Sequence, residues 1–262
     1  MADPTLPAPL ARLAADYWDT VLELDPMLAT AVGDRRFDAL LPDPTPEGRG
    51  AGRERLTSLE ARLADLPLDA AWDAEARITC ATLAESLHAD IATIDSGLAA
   101  WNVDPVDGLP TSLLNLPDYQ LVETPADGTA MVVRWRAIAE YLDRSTGTLR
   151  RGLAGGLVAS APTVERTIDM VATLLAEPDE DWPLLAPIAA VTASAAADAV
   201  AGGKPRTAAW TTADHERFAA GLRDAVANDI RPAFARLHAA LTDEILPAAR
   251  SADRPGMGHV PG

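Results

Sequence analysis

Two stretches of the sequence place histidine near glutamate, residue types that often bind a catalytic metal ion. His215-Glu216 resembles the start of the His-Glu-x-x-His zinc motif, but no histidine stands four residues after His215. That second histidine is needed because two imidazoles at this spacing share one face of a helix. Glu85-x-x-His88 has the spacing of a di-iron ligand pair, yet such a site needs the motif twice and two further glutamates. The sequence therefore predicts no catalytic and no metal-ligating residue in this chain, and it favours a polar helix face for Glu85 and His88.

Other catalytic signatures are also missing from the sequence. It contains no Gly-x-Ser-x-Gly elbow and no Ser-x-x-Lys pair. Cys80, the one cysteine, lies on an apolar stripe, which favours a small core residue over an activated thiolate. Residues 152–156 are rich in glycine but lack the Lys-Ser/Thr of a phosphate-binding loop, so they predict a turn between helices that uses positive φ.

Three residues are the candidates for contacts with a ligand or a cleft. Trp101 and Asn102 stand at the start of residues 102–127, the longest proline-rich segment without a clear helical period. Long segments of this kind are often functional. Arg134 is the third candidate, because a cleft with basic character would use it together with Arg136, Arg150 and Arg151. The competing interpretation places all four arginines on exposed helix faces.

The composition excludes some classes of function. The chain has 262 residues with 22 Lys+Arg against 39 Asp+Glu, a formal net charge of −17. A surface of this charge repels phosphate backbones, so we expect no nucleic-acid partner. The N-terminus shows no signal-peptide pattern, and no apolar run is long enough to cross a membrane. With its single cysteine, the sequence favours a cytoplasmic protein without disulfides.

The apolar residues repeat at the spacing of α-helices. Each of six stripes places leucine, isoleucine, valine or an aromatic residue on one face, which must then be buried; the stripes span 10–24, 56–66, 80–98, 131–142, 164–175 and 218–245. No comparable segment alternates with a period of two. The fold class we expect is all-α, an irregular multi-helix array in a single domain over residues 1–262, with an extended tail at 251–262.

Capping and proline residues mark the ends of these elements. Thr211 and Asp214 have the spacing of a capping box before the last stripe. Pro232 interrupts that stripe, so we expect a kink or break near residues 228–231. Residues 42–46 predict an extended joint, because a residue that precedes proline is disfavoured in the helical region.

Several short motifs occur along the chain in a distinctive order, and none is specific alone. They lie at residues 25–34, 36–38, 41–43, 101–105, 134–143, 151–158, 164–170, 231–234 and 246–250. Over about residues 15–262 this order and spacing resemble the bacterial domain-of-unknown-function 885 family. The resemblance implies the N-terminal helical half of a zincin-like architecture, similar to oligopeptidases and carboxypeptidases with a deep cleft. In that family the zinc motif lies in a second half, downstream of the motif at 246–250.

Three functions follow as hypotheses. In the first, the chain forms one wall of the substrate cleft of a metallopeptidase-like hydrolase, and zinc is held by a catalytic half outside these 262 residues or encoded separately. In the second, the chain is a non-catalytic helical binding or scaffold protein derived from that family. In the third, acidic residues and His88 form an iron or manganese site. The partner is then the missing half or, through self-association, a second copy of the chain.

Overall fold

The structure is a computed structural model that describes residues 6–67, 72–201 and 210–253. These residues form an α-helical array, which confirms the all-α prediction. The helices are α1 (Ala8–Leu24), α2 (Pro26–Ala31), α3 (Pro46–Ala64), α4 (Ala74–Asp95), α5 (Leu109–Leu114), α6 (Leu116–Tyr119), α7 (Pro125–Ala154), α8 (Ala161–Ala176), α9 (Ala186–Ala201), α10 (Thr212–Asp224) and α11 (Arg231–Ala240). No strand occurs in the described ranges; a single parallel bridge joins Ser160 to Arg250. The predicted tail at 251–262 lies almost entirely outside the described residues.

The first layer of the fold consists of α1, α3 and α4. Leucines spaced three or four residues apart on each helix meet in one apolar cluster, among them Leu10, Leu13, Leu56, Leu59 and Leu87. Each of these side chains is at most 5% exposed. Burying a leucine side chain contributes about 1.5–3 kcal/mol, so three otherwise polar helices are held together along one seam.

The second layer is built around the 30-residue helix α7. Its stripe of Met131, Trp135, Ile138 and Leu142 is fully buried in a larger cluster that also includes residues of α8, α10 and α11. The indole Nε1 of Trp135 donates to the carbonyl oxygen of Leu184 at 2.9 Å, so the polar atom of this core residue is satisfied. One face of α7 is therefore fixed in the core, and this holds the side chains on its other faces in position.

Helix α10 begins where the sequence predicts. Thr211 and Asp214 form the expected capping box of α10, and an unpredicted second box of Thr124 with Asp127 begins α7. Residues 42–44 belong to no helix, and Thr45 is extended at φ −71° and ψ 156°. Pro46 occupies the first turn of α3, where its missing N–H costs no hydrogen bond. Residues 155–156 end α7, and Gly156 adopts φ 78°, as the glycine-rich segment predicts.

Residues 102–127 differ from the sequence-based expectation. The segment is not free of helix, because it contains α5 and α6 and the start of α7. Helices of six and four residues are too short to show a repeat of 3.6 residues, so the apolar pattern could not reveal them.

The predicted disturbance near Pro232 takes the form of a π-helix. Residues Ala225–Ile230 are π-helical and lead into α11, and Leu241–Ile245 form a second π-helix at the other end of α11. In each case a proline, Pro232 or Pro247, follows two residues after the π segment. Proline has no N–H for the bond to the carbonyl four residues earlier, and its ring clashes with that carbonyl. Wider turns accommodate the clash without ending the helical path.

Candidate functional site

A cleft of about 300 Å³ lies against α7 of the second layer. Helices α2, α5, α7, α8 and α11 line it together with the joint at 42–44 and the segment at 99–104. The lining combines apolar side chains, such as Met27, Leu149 and Leu237, with a smaller set of polar side chains. An apolar cavity of this size with a few convergent polar groups is the usual form of a small-ligand site.

Helix α7 supplies a row of hydroxyl groups to the cleft. Tyr141, Ser145 and Thr148 all line it, at helical spacings of four and three residues. The Thr148 hydroxyl donates to the carbonyl oxygen of Pro44 at 2.9 Å and so ties the joint to the helix. The Ser145 hydroxyl is buried and has no hydrogen-bond partner among the described residues. A buried hydroxyl without a partner costs about 1–3 kcal/mol, so this atom is available to a ligand.

Two carboxylates line the cleft. Asp25 caps α2, where its Oδ1 accepts from the backbone N–H groups of Met27 and Leu28 at 3.1 and 3.0 Å. Asp104 accepts at Oδ1 from the N–H groups of Val106 and Asp107 at 2.7 and 3.0 Å. These backbone bonds fix both carboxylates in place. Neither carboxylate takes part in an ion pair within the described part of the chain.

Tyr141 keeps its proton over the whole physiological range. Burial, with a smaller contribution from the negative charge of Asp25, raises the pKa of Tyr141 to about 12. The phenol therefore enters the cleft as a neutral group that both donates and accepts a hydrogen bond. The chemistry available on this face is hydrogen bonding to a polar ligand rather than nucleophilic attack.

Of the predicted contact residues, Asn102 lines the cleft and its side chain is exposed. Trp101 lies beside the cleft, where the guanidinium of Arg250 packs over its ring at 5.7 Å and its buried Nε1 has no partner among the described residues. Gly152 of α7 allows this approach, because a Cβ there would overlap the carbonyl oxygen of Ala100. The close contact fixes the segment that presents Asn102.

Arg134 lies behind the wall of the cleft and does not line it. It is fully buried, and its guanidinium donates to Gln120 Oε1 at 2.8 Å, Thr30 Oγ1 at 2.9 Å and the carbonyl oxygens of Pro26 and Phe37. Burial lowers the pKa of Arg134 to about 10, while the nearby Asp38 opposes that shift. This network anchors α2 and residues 35–38 to α7.

The alternative interpretation of the four arginines was wrong for Arg134 and correct for the other three. Arg136 and Arg150 are exposed and pair with Asp224 and Glu244, and Arg151 is exposed and donates to the Thr148 hydroxyl at 2.9 Å. Arg134 falls between Met131 and Trp135 on the buried side of α7. A charged residue inside an apolar stripe is the signal that could have identified it.

The described residues do not provide a zinc site. No group of three or more histidine, cysteine, aspartate or glutamate side chains is arranged to hold a metal ion there. Glu85 and His88 lie on the exposed face of α4, as the polar-face interpretation predicts. Because the donors present do not fit zinc, no catalytic step through that metal is derived for this chain.

Sequence reasoning missed Tyr141, Ser145 and the two carboxylates. The signal for the hydroxyl row was present, since its spacing places it on one face of α7. Nothing in the sequence showed that α2, α8 and α11 would enclose this face, because their packing joins segments up to about 200 residues apart.

Comparisons with known proteins give a family and a fold. The model of a bacterial protein family of unknown function, DUF885, matches residues 26–259. The structure is similar to the crystal structure of a protein described as "putative lipoprotein from Colwellia psychrerythraea". The TM-score is 0.74, and the sequence identity is 15% over 92% of this chain. The chain spans 42% of the length of that protein. No curated protein matches the sequence. Among the described helices, none has both the length and the apolar character needed to span a membrane.

Proposed function

This chain belongs to the bacterial DUF885 family, and from that premise we propose that it forms one wall of the substrate cleft of a metallopeptidase-like hydrolase. The observation that carries the proposal is the cleft itself. Its apolar walls suit side chains of a peptide, and the hydroxyls of Tyr141 and Ser145 and the amide of Asn102 suit the peptide backbone.

The zinc ligands of such an enzyme would come from outside these 262 residues. The solved structure with the same fold is more than twice as long as the part this chain matches. A protein of that length has room for a second half that faces the cleft. In this arrangement the present chain binds and orients the peptide, and the other half supplies the metal and the catalytic base.

The alternative is a helical binding or scaffold protein that uses the same cleft without catalysis. The Ser145 hydroxyl, which has no partner among the described residues, favours a bound ligand in either case, because a ligand or water that enters the cleft can satisfy it. The two functions differ in whether peptide binding leads to hydrolysis.

The test begins with the native gene, read past the codon for Gly262. The complete product is purified from its own reading frame or as the complex isolated from native cells. It is then assayed on internally quenched peptides with zinc, and again after a chelator. We expect zinc-dependent hydrolysis by the complete protein and peptide binding without hydrolysis by the 262-residue chain. Peptide binding by both without hydrolysis would establish the scaffold function, and the absence of both would refute the proposal.

A pair of serine variants connects the activity to this cleft. Ser145→Ala in the complete protein should lower kcat/KM about three- to tenfold, the effect of losing one hydrogen bond to the substrate. Ser96→Ala is the matched control, because Ser96 is exposed and lies outside the cleft. Equal kcat/KM values for the two variants would show that the substrate does not bind at this hydroxyl.

A further inference from the structure

The charges that line the cleft have one sign. Asp25 and Asp104 are its carboxylates, and no lysine, arginine or histidine is among the described residues that line it. Elsewhere on the described surface, carboxylates are commonly paired with arginine, as in Arg53 with Asp95 and Arg236 with Asp143. The cleft thus holds two carboxylates without ion pairs.

Two arginines near the cleft, Arg134 and Arg151, do not neutralise these carboxylates by contact. Arg134 is close enough to Asp25 for the two charges to interact, but the hydrogen bonds that Arg134 donates within the described residues go to neutral oxygens. Arg151 donates to the Thr148 hydroxyl from the exposed side of α7 and does not line the cleft. A cation that enters the cleft would therefore find the carboxylates free to bind it.

The remaining lining suits a ligand with an apolar stem. Met27, Leu149 and Leu237 form apolar walls, while the buried Ser145 hydroxyl, which has no partner in the described structure, offers a hydrogen bond inside them. Long basic side chains have this character, because several methylene groups carry a charged end. A neutral apolar side chain would leave both carboxylates and the hydroxyl unused.

We propose that the cleft selects a basic side chain, lysine or arginine, of a peptide, with the methylene groups against the apolar walls and the charged end toward Asp25 and Asp104. This inference rests on the proposed function only in taking the ligand to be a peptide. It assigns a substrate class that neither the fold nor the family provides.

In the test, each of three blocked tripeptides is titrated into the 262-residue chain, and binding is measured by NMR. The probes are acetyl-Ala-Lys-Ala-amide, its norleucine analogue and its glutamate analogue. We expect saturable one-to-one binding of the lysine peptide at least tenfold tighter than that of the norleucine peptide, and no binding of the glutamate peptide. The resonances of Asn102 and Ser145 should shift. Higher salt should weaken the lysine peptide more than the norleucine peptide.

Matched variants separate the cleft from the general negative charge of the protein. The double variant Asp25→Asn/Asp104→Asn keeps amide oxygens able to cap the same backbone groups, and it should reduce binding of the lysine peptide to the norleucine level. Asp107→Asn removes the same kind of charge three residues from Asp104 but outside the cleft, so affinity should change less than twofold. Thermal unfolding of each variant shows that it is folded.

Two outcomes would overturn the inference: equal affinity for the lysine and norleucine peptides, or an equal loss with Asp107→Asn and with the double variant. Failure of the proposed function is distinguishable from either. Lysine-peptide binding without hydrolysis by the complete protein would leave the basic-side-chain site standing. Zinc-dependent hydrolysis without any preference for basic residues would leave the function standing and remove the inference.

Discussion

Replacement of Arg134 by methionine tests whether the buried guanidinium anchors one wall of the cleft to α7. Methionine has a similar length and fills the space without charge. In the variant, Gln120 Oε1 loses the donor that Arg134 provides, and the carbonyl oxygen of Phe37 keeps only the bond that it accepts from the N–H of Leu40 at 2.9 Å. The carbonyl oxygen of Pro26 keeps the bond it accepts from Thr30.

The expected loss follows from these acceptors. The buried Gln120 Oε1, left without a donor, costs about 1–3 kcal/mol, each other hydrogen bond lost costs about 0.5–1.5 kcal/mol, and removal of a buried charge returns part of that cost. We therefore expect Arg134→Met to lower the free energy of unfolding by about 3 kcal/mol. For a chain of this length the corresponding fall in Tm is roughly 6–12 °C.

The assay is urea unfolding monitored by circular dichroism, with Arg136→Met as the matched control. Arg136 is exposed and paired with Asp224 at 3.2 Å, so its loss should cost less than about 1 kcal/mol. Arg134→Lys should fall between the two, because an ammonium group retains the charge but not the planar array of donors. A loss below about 1 kcal/mol for Arg134→Met, equal to that of the control, would refute the anchoring role.

Three further predictions concern α7 and its contacts. Gly152→Ala should destabilise the protein by more than about 2 kcal/mol, because the new Cβ would overlap the carbonyl oxygen of Ala100. The control Gly147→Ala, whose Cβ would have its nearest contact at 3.7 Å, should be neutral or stabilising by up to about 1 kcal/mol. Equal effects of the two substitutions in urea unfolding would contradict this prediction. Ser145→Ala should leave the free energy of unfolding unchanged or raise it by up to about 1 kcal/mol, since the hydroxyl has no partner to lose among the described residues. A loss above about 1 kcal/mol would reveal such a partner. Because the pKa of Tyr141 is raised to about 12, its contribution to stability is complete below about pH 10 and is lost as the pH rises toward 12. Over this pH range the free energy of unfolding should fall less for Tyr141→Phe than for the unchanged protein. An equal fall for both would contradict the raised pKa.

The helices could be predicted from the sequence because their causes are local. The stripe of Met131, Trp135 and Ile138 predicts an amphipathic helix, and Thr211 with Asp214 predicts where another begins. Both signals act within one or two turns of the chain. The family resemblance could also be recognised from the order of the motifs, and the family match over residues 26–259 confirms it.

The candidate site could be predicted only in part, because the packing of distant segments creates it. Asn102 was identified by its place in a proline-rich segment, and it does line the cleft. Arg134 was identified as a basic residue, but its burial depends on acceptors from α2 and residues 35–38, about 100 residues earlier in the chain. The spacing of Ser145 places it on one face of α7 with Tyr141 and Thr148, but nothing local shows that its surroundings exclude water.

The two π-helices before Pro232 and Pro247 also set the rotation of the C-terminal helical segment. Twenty-seven residues separate Phe218 from Ile245, and a regular α-helix would complete about seven and a half turns over that length, which would place the two side chains on opposite sides. Both are nevertheless buried, at 5% and 4% exposure, as are the six stripe residues between them. The wider turns of the two π-helices reduce the total rotation by about half a turn. The apolar stripe from Phe218 to Ile245, whose repeat is longer than 3.6 residues, therefore still faces one core. Deletion of a single residue from 225–230 would rotate the following half of the stripe by about 100°, away from α7 and the cleft.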